Sequence, residues 1–225
     1  MNDIGIIYAA GGSGSRYQGN KLFAELGGEE LFLRSIRNFM TLCPPEHAVL
    51  VVPEALLAEY RDIVADRLPE YPLQIVAGGA QRTDSVRNGL KALPEAVRYV
   101  AVHDAARPMA GIELFRRCLE AARECGGAIP GKPVSDTIKK IDKRHIITET
   151  VDRSELWSVE TPQIFSRAKL ADAYRRTSGG FTDDAGVMAE AGYPVKMVHN
   201  PDWNLKITYP EDLRLLQLLE ADRRR

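Results

Sequence analysis

The chain has 225 residues, 44% hydrophobic and 27% charged, the proportions of an ordinary globular protein rather than a disordered one. Its formal net charge is −1, which removes the basic field expected of a protein whose main partner is nucleic acid, so any anion-binding charge must be local. Cys43, Cys118 and Cys125 form no C-x-x-C pair and have no metal-like spacing to the histidines, which suits a reducing compartment. The start lacks a leader pattern, and there is no apolar run of about 18 residues, so the expectation is a cytoplasmic protein with no membrane partner.

Residues 4–10, Ile-Gly-Ile-Ile-Tyr-Ala-Ala, form a short apolar run that predicts a buried first strand. After it come Gly11-Gly12-Ser13-Gly14-Ser15-Arg16, whose glycines permit positive φ and let backbone approach a ligand. Successive N–H groups in such a loop can form an anion-binding nest. Arg16 and Lys21 add two cations just beyond it, a combination that suits a nucleoside triphosphate. The loop matches neither common fingerprint: the dinucleotide pattern needs glycine where Tyr17 stands, and the P-loop needs Gly-Lys-Ser or Gly-Lys-Thr. Taken alone, the loop also reads as plain turn chemistry.

Leu31, Leu33, Ile36 and Phe39-Met40 then recur at helical spacing, and residues 48–52 are a continuous apolar run that predicts a strand covered on both faces. Pro53-Glu54 opens a helix, and residues 73–76 are a third strand ending at Gly78-Gly79. The next helix carries Val86, Leu90 and Leu93. A fourth strand, 99–102, closes at His103-Asp104-Ala105-Ala106-Arg107-Pro108, and a helix over about 112–125 leads to a short strand near 127–130. This alternation predicts an α/β fold with a doubly wound, mostly parallel sheet, whose ligands bind outside the carboxyl ends of the strands. The glycine loop, Gly78-Gly79, and Asp104 with Arg107 all fall at those ends.

From Pro133 the pattern changes. Residues 137–141 and 146–151 alternate around Asp142-Lys143-Arg144-His145, which predicts a β-hairpin with a charged tip. A lone hairpin is marginal in water, so its expected use is to pack on another subunit; the alternative is an ordinary exposed excursion. Residues 161–165 read as a turn and strand, 166–176 as a helix, and Thr182 or Asp183 as the N-cap of a small helix through 191. Strands are expected at 193–198 and 204–208, and Pro210 opens a last helix whose Leu213, Leu216 and Leu219 should dock on the core. The whole chain, 1–225, reads as one domain with 133–153 as an arm.

Taken in order, Ala9-Ala10-Gly11-Gly12-Ser13-Gly14-Ser15-Arg16 with Lys21, Gly78-Gly79 with Arg82 and Asp84-Ser85, His103-Asp104-Ala105-Ala106-Arg107-Pro108, Asp136-Thr137, Val151-Asp152-Arg153 with Leu156-Trp157, Thr161-Pro162-Gln163, Thr182-Asp183 and Asn204-Leu205-Lys206-Ile207-Thr208 resemble the 2-C-methyl-D-erythritol 4-phosphate cytidylyltransferases. The resemblance covers essentially the whole chain. It implies a Rossmann-like nucleotidyltransferase that moves a cytidylyl group from CTP to a sugar-alcohol phosphate in non-mevalonate isoprenoid biosynthesis. It implies that the loop 9–14 wraps the CTP phosphates, that Arg16 and Lys21 stabilise the α-phosphate, and that Gly79 and Ser85 read the cytosine. Asp104, beside Ala105, would lie at the ribose and at a Mg²⁺ ion, with Asn204 or Asp202 as weaker ligands. Arg107, Thr161 and Thr182 would contact the second substrate, and Lys206 and Arg153 would grip and aim it. The resemblance also implies a homodimer in which Arg153 and Thr137 come from the partner's arm.

The residue types agree with that chemistry. A phosphate monoester is already an adequate nucleophile, so cations and in-line positioning matter more than a general base. His103 is accordingly expected to be structural. Ribitol 5-phosphate is the rival second substrate, because Ala10-Gly11-Gly12 also fits those related cytidylyltransferases. An NAD-binding oxidoreductase is the rival class, but it expects an acidic residue closing the second strand, where Val52 is followed by Pro53-Glu54.

Overall fold

The computed structural model of the protein describes residues 3–11, 20–178 and 180–223. Strand β1 (Ile4–Ala9) is apolar along its length because both faces are covered, with Ile4, Ile6, Ile7 and Tyr8 fully buried. A small hairpin follows, β2 (Glu25–Leu26) and β3 (Glu29–Glu30), turned by Gly27 and Gly28. Their φ values of 63° and 82° are the left-handed pair that a tight two-residue turn requires. Helix α1 (Leu31–Arg37) then leads to β4 (Ala48–Val52), α2 (Leu57–Arg67), β5 (Gln74–Ala77), α3 (Arg82–Ala92), β6 (Tyr99–Asp104), α4 (Ile112–Cys125) and β7 (Gly127–Pro133). Helix α4 buries Leu114, Phe115, Cys118, Leu119, Ala121 and Ala122, one stripe at the helical period.

The arm is β8 (Ile138–Ile141) and β9 (Ile147–Val151), a separate two-stranded sheet. Asp142 organises its tip, its carboxylate accepting the N–H groups of Arg144 at 2.8 Å and Ile146 at 2.9 Å. The chain returns through β10 (Trp157–Val159) and β11 (Gln163–Ser166), then α5 (Arg167–Arg176), α6 (Asp184–Glu190), β12 (Lys196–His199) and α7 (Pro210–Arg223).

The main sheet has the order β10-β7-β11-β6-β1-β4-β5, with β12 added on β7. β5, β4, β1 and β6 are parallel, and β11 enters antiparallel between β6 and β7. Alternate residues of the central strands feed two cores. Ile4, Ile6, Tyr8 and Leu50 pack with α1, α2 and α4; Ile7, Val49 and Val51 pack with α3, α5 and α6. This is the doubly wound, mostly parallel arrangement that the alternation of strands and helices predicts.

Some expectations need correction. Residues 204–208 form no strand: the Ile207 N–H makes one bond, to the Ala106 carbonyl at 2.9 Å, and its side chain enters a small cluster with Leu26, Leu31 and Leu216. The alternation of Leu205 and Ile207 therefore reports insertion under α7, not a sheet ladder. Leu213 joins that cluster, whereas Leu219 stays partly covered outside it. Helix α1 stops at Arg37, short of Phe39-Met40, and the strand expected at 193–198 is Lys196–His199. The strand β10 and the Gly27-Gly28 hairpin were not anticipated. Asp183, not Thr182, caps α6, its carboxylate accepting the Gly186 N–H at 3.0 Å.

Candidate active site

The strand order reverses at β1 and β6, the place where an open α/β sheet forms its ligand crevice. In register, Ala9 at the end of β1 faces Asp104 at the end of β6. The Ala9 carbonyl accepts the Ala105 N–H at 3.1 Å, and the Ala10 N–H reaches the Val51 carbonyl at 2.8 Å, so the entry to the glycine loop is fixed on both sides. Gly11 follows; Gly12, Ser13, Gly14 and Arg16 lie outside the described residues.

At the end of β5, the Gly79 N–H donates to Ser85 Oγ at 3.1 Å, and Ser85 donates to the Gln81 carbonyl at 3.2 Å. A Cβ on Gly78 would stand 2.8 Å from Ser85 Oγ and one on Gly79 2.3 Å from Asp84 Cβ, so this turn excludes side chains. A Cβ on Gly11 would lie 3.5 Å from the same Ser85 oxygen. The β1 and β5 ends thus meet at the first turn of α3, with Gly11, Gly79 and Ser85 in one corner.

Asp104 is the electrostatic centre. Lys206 Nζ lies 2.8 Å from its Oδ2 and Arg107 Nε 3.6 Å from the same atom. Burial alone would raise the carboxyl pKa; Lys206, Arg82 and Arg107 outweigh it and hold the group well below the usual carboxylate range. Arg107 is itself fixed, Nη1 donating to the Asn204 carbonyl at 2.7 Å. Lys21 opens a 3₁₀ turn capped by the Asn20 side chain, which accepts the Leu22 N–H at 3.1 Å, and its ammonium donates to the Ile207 carbonyl at 2.8 Å. Lys21 and Lys206, 185 positions apart in sequence by their numbering, are therefore brought to adjacent points on one segment.

His103 lies directly beneath and is fully buried. Its Nε2 faces the Arg107 carbonyl at 3.2 Å, which can only accept, so that nitrogen carries the proton. Nδ1 then accepts from the Thr161 hydroxyl at 3.0 Å, while Thr161 Oγ1 accepts the Asp104 N–H at 3.0 Å. Burial lowers the imidazole pKa to about 4. A neutral ring with both nitrogens engaged braces the 103–107 turn, the structural role expected of it.

Sequence reasoning missed Glu160. This carboxylate is 8% exposed, and its Oε2 accepts Asn200 Nδ2 at 2.7 Å and Asn204 Nδ2 at 3.0 Å. Asn204 also donates to the Thr161 carbonyl at 2.9 Å. The clamp fixes the segment that carries Lys206. An acid between Val159 and Thr161, with two asparagines downstream, was the available signal.

The remaining candidates sit apart. Thr137 and Arg153 are exposed at the root of the arm, where Arg153 Nη1 donates to the Ser135 carbonyl. Thr182 is exposed just ahead of α6, in a segment tied to Gln163 through Asp183. Among the described residues no three His, Cys, Asp or Glu side chains are grouped to hold a metal. Asp104 alone, ionised and 13% exposed, suits an ion whose other ligands are phosphate and water.

The sequence profile of the 2-C-methyl-D-erythritol 4-phosphate cytidylyltransferase (IspD) family matches residues 4–220. A protein of that name from Symbiobacterium thermophilum is 38% identical over 226 residues, covering 96% of this chain and 92% of its own. A bifunctional enzyme IspD/IspF from Clavibacter michiganensis is 39% identical, covering 97% of this chain but 54% of its own, so the chain spans about half the length of that relative. The crystal structure of 4-diphosphocytidyl-2C-methyl-D-erythritol synthase from Anaerococcus prevotii superposes with a TM-score of 0.81 at 28% identity, over 98% of this chain and 99% of that one. Among the described residues no helix is long and apolar enough to cross a membrane. The match runs through every element that builds the crevice, and the chain belongs to the 2-C-methyl-D-erythritol 4-phosphate cytidylyltransferase family.

Proposed function

We propose that the protein transfers the cytidylyl group of CTP to 2-C-methyl-D-erythritol 4-phosphate, giving 4-diphosphocytidyl-2-C-methyl-D-erythritol and pyrophosphate in non-mevalonate isoprenoid biosynthesis. A phosphate oxygen of the alcohol phosphate attacks the α-phosphorus; the bond to the bridging oxygen breaks, and its electron pair leaves with pyrophosphate. No proton need be removed from the attacking dianion, which agrees with the occupied, neutral His103. The chain's task is to offset repulsion between two polyanions and to align them.

In this reading the loop 9–14 holds the triphosphate, with Arg16 and Lys21 on the α-phosphate. Gly79 and Ser85 hold the cytosine, and Asp104 with Ala105 the ribose side. Lys206 leaves Asp104 for the incoming phosphate, with Arg107, Thr161 and Thr182 nearby. Thr137 and Arg153 act from the partner's arm in a cytoplasmic homodimer with no nucleic-acid partner. A Mg²⁺ held by Asp104 and the phosphates would supply further charge neutralisation.

The observation that carries this reading is the convergence of Lys21, Lys206 and Asp104 around Ile207 at the reversal of strand order. Pyrophosphate release is to be timed with CTP and either 2-C-methyl-D-erythritol 4-phosphate or ribitol 5-phosphate. Lys21→Ala and Lys206→Ala should each lower turnover by roughly 10²–10³ while changing CTP affinity far less. Preference for ribitol 5-phosphate overturns the substrate assignment. An equal loss of CTP affinity reduces the site to a binding module. Mixing Lys21→Ala with Arg153→Ala protein should restore roughly a quarter of the activity, since one site in each mixed dimer is then intact; no recovery removes the shared site.

A further inference from the structure

Two ladders meet on one residue of β7. Val159, the last residue of β10, and His199, the last of β12, both pair with Gly131, from opposite edges of that strand. The residues that follow are fixed there by their own N–H groups, Glu160 donating to the Pro130 carbonyl at 2.8 Å and Asn200 to the Gly131 carbonyl at 2.9 Å. A Cβ on Gly131 would stand 2.7 Å from the Ser158 carbonyl oxygen, so the crossing leaves no room for a side chain at that position. The sheet thus delivers a buried acid and a buried amide to one spot.

Glu160 Oε2 takes Asn200 Nδ2 at 2.7 Å and Asn204 Nδ2 at 3.0 Å, so a single oxygen closes the loop between two asparagines. The Asn204 amide has one orientation, because its nitrogen faces two acceptors, that oxygen and the Thr161 carbonyl at 2.9 Å. Its main-chain carbonyl accepts Arg107 Nη1 at 2.7 Å. Ile207, three positions on, is held both ways, its N–H on the Ala106 carbonyl at 2.9 Å and its carbonyl under the Lys21 ammonium at 2.8 Å. Lys206 lies between these two fixed residues, with a side chain that is 42% exposed. The main chain is pinned and the ammonium has room to swing.

Resting on the cytidylyl-transfer reading, we propose that Glu160 is a positioning residue for Lys206. It holds the main chain of 204–207 still while the ammonium exchanges Asp104 for the phosphate of the second substrate. Glutamine keeps the reach and one acceptor oxygen but accepts less strongly, and alanine removes the acceptor. At a temperature where the variants are folded, Glu160→Gln should lower kcat/KM for the alcohol phosphate about five-fold and Glu160→Ala about thirty-fold, as expected when a reacting group is slightly misplaced. CTP affinity by calorimetry should stay at the wild-type value, because Glu160 bonds Asn200 and Asn204 rather than Gly11, Gly79 or Ser85. In a Lys206→Ala background, Glu160→Gln should cost nothing further, since the group it places is gone. A general structural defect would instead multiply with Lys206→Ala and weaken CTP binding as well. Either of those results, or wild-type kcat/KM in Glu160→Gln, overturns the proposal. If the wild type itself does not turn over CTP with the alcohol phosphate, the parent reading fails. Hydrogen exchange then tests the clamp by itself: the Ile207 amide should exchange roughly five-fold faster in Glu160→Gln, and an unchanged rate refutes it.

Discussion

Replacing Asp104 by asparagine removes one negative charge from among Lys206, Arg107 and Arg82 while keeping the side chain's shape. Unit charges about 4 Å apart interact by roughly 4 kcal/mol at an effective dielectric near 20. Lys206 is 42% exposed and its share is screened, whereas Arg107 is 12% exposed and keeps most of its share. The expected cost is about 2–4 kcal/mol, somewhat below the figure for breaking a fully buried pair. For a chain of this size that lowers the thermal midpoint at pH 7 by roughly 5–12 °C. The sign with pH follows from the depressed carboxyl pKa: the folded protein binds fewer protons than the unfolded one, so the contribution is present at neutral pH and fades as pH falls below about 4. Circular dichroism melts of both proteins from pH 7 to pH 3 should show a gap that narrows in acid. CTP should bind the variant more tightly in a chelator, because the cations lose their internal counter-charge, even as turnover falls. An unchanged midpoint at pH 7, or a gap that widens in acid, refutes the electrostatic account of the site.

His103, whose imidazole is lowered to about 4, contributes stability that is complete above its unfolded value near 6.5 and is lost as pH falls towards 4, roughly 3 kcal/mol at the fullest. His103→Gln should melt lower than the wild type at pH 7 yet lose less between pH 6.5 and 4; parallel melting curves would contradict this. On the arm, Ile141, Ile146 and Ile147 are 54%, 59% and 61% exposed, an apolar face that the chain itself leaves uncovered. For the homodimer proposed above, Ile147→Asp should shift light scattering from dimer to monomer with little change in far-ultraviolet dichroism, and an unaltered mass would refute an arm-mediated interface.

Much of this architecture is legible because local and global signals agree. The runs at 4–10, 48–52 and 99–102 are continuous because each strand is covered on both faces, and Ile7 and Tyr8 go to opposite cores as period two requires. The same pattern marks the strand ends as the candidate site, and Asp104 stands there opposite Ala9. What escaped notice depends on contacts distant in sequence. Residues 204–208 alternate like a strand, but Ile207 answers to Leu216 and to the Ala106 carbonyl. Glu160 takes its role from Asn200 and Asn204, 40 and 44 positions on, which fold back onto its carboxylate. Arg82 gave no local sign that its ion-pair partner, Asp184, lay in α6, 102 positions away.

The excursion between Pro133 and Trp157 has a consequence for how such proteins change over time. The chain leaves the main sheet at one residue and re-enters at its ladder partner, Pro133 lying opposite Trp157. Departure and return are thus stapled together, and the intervening cassette can be lengthened, re-charged or exchanged without altering the register of the strands whose ends bring Gly11, Gly79 and Ser85 together. A peripheral ribbon can therefore diverge in length and charge while the pairing of the central strands stays as it is.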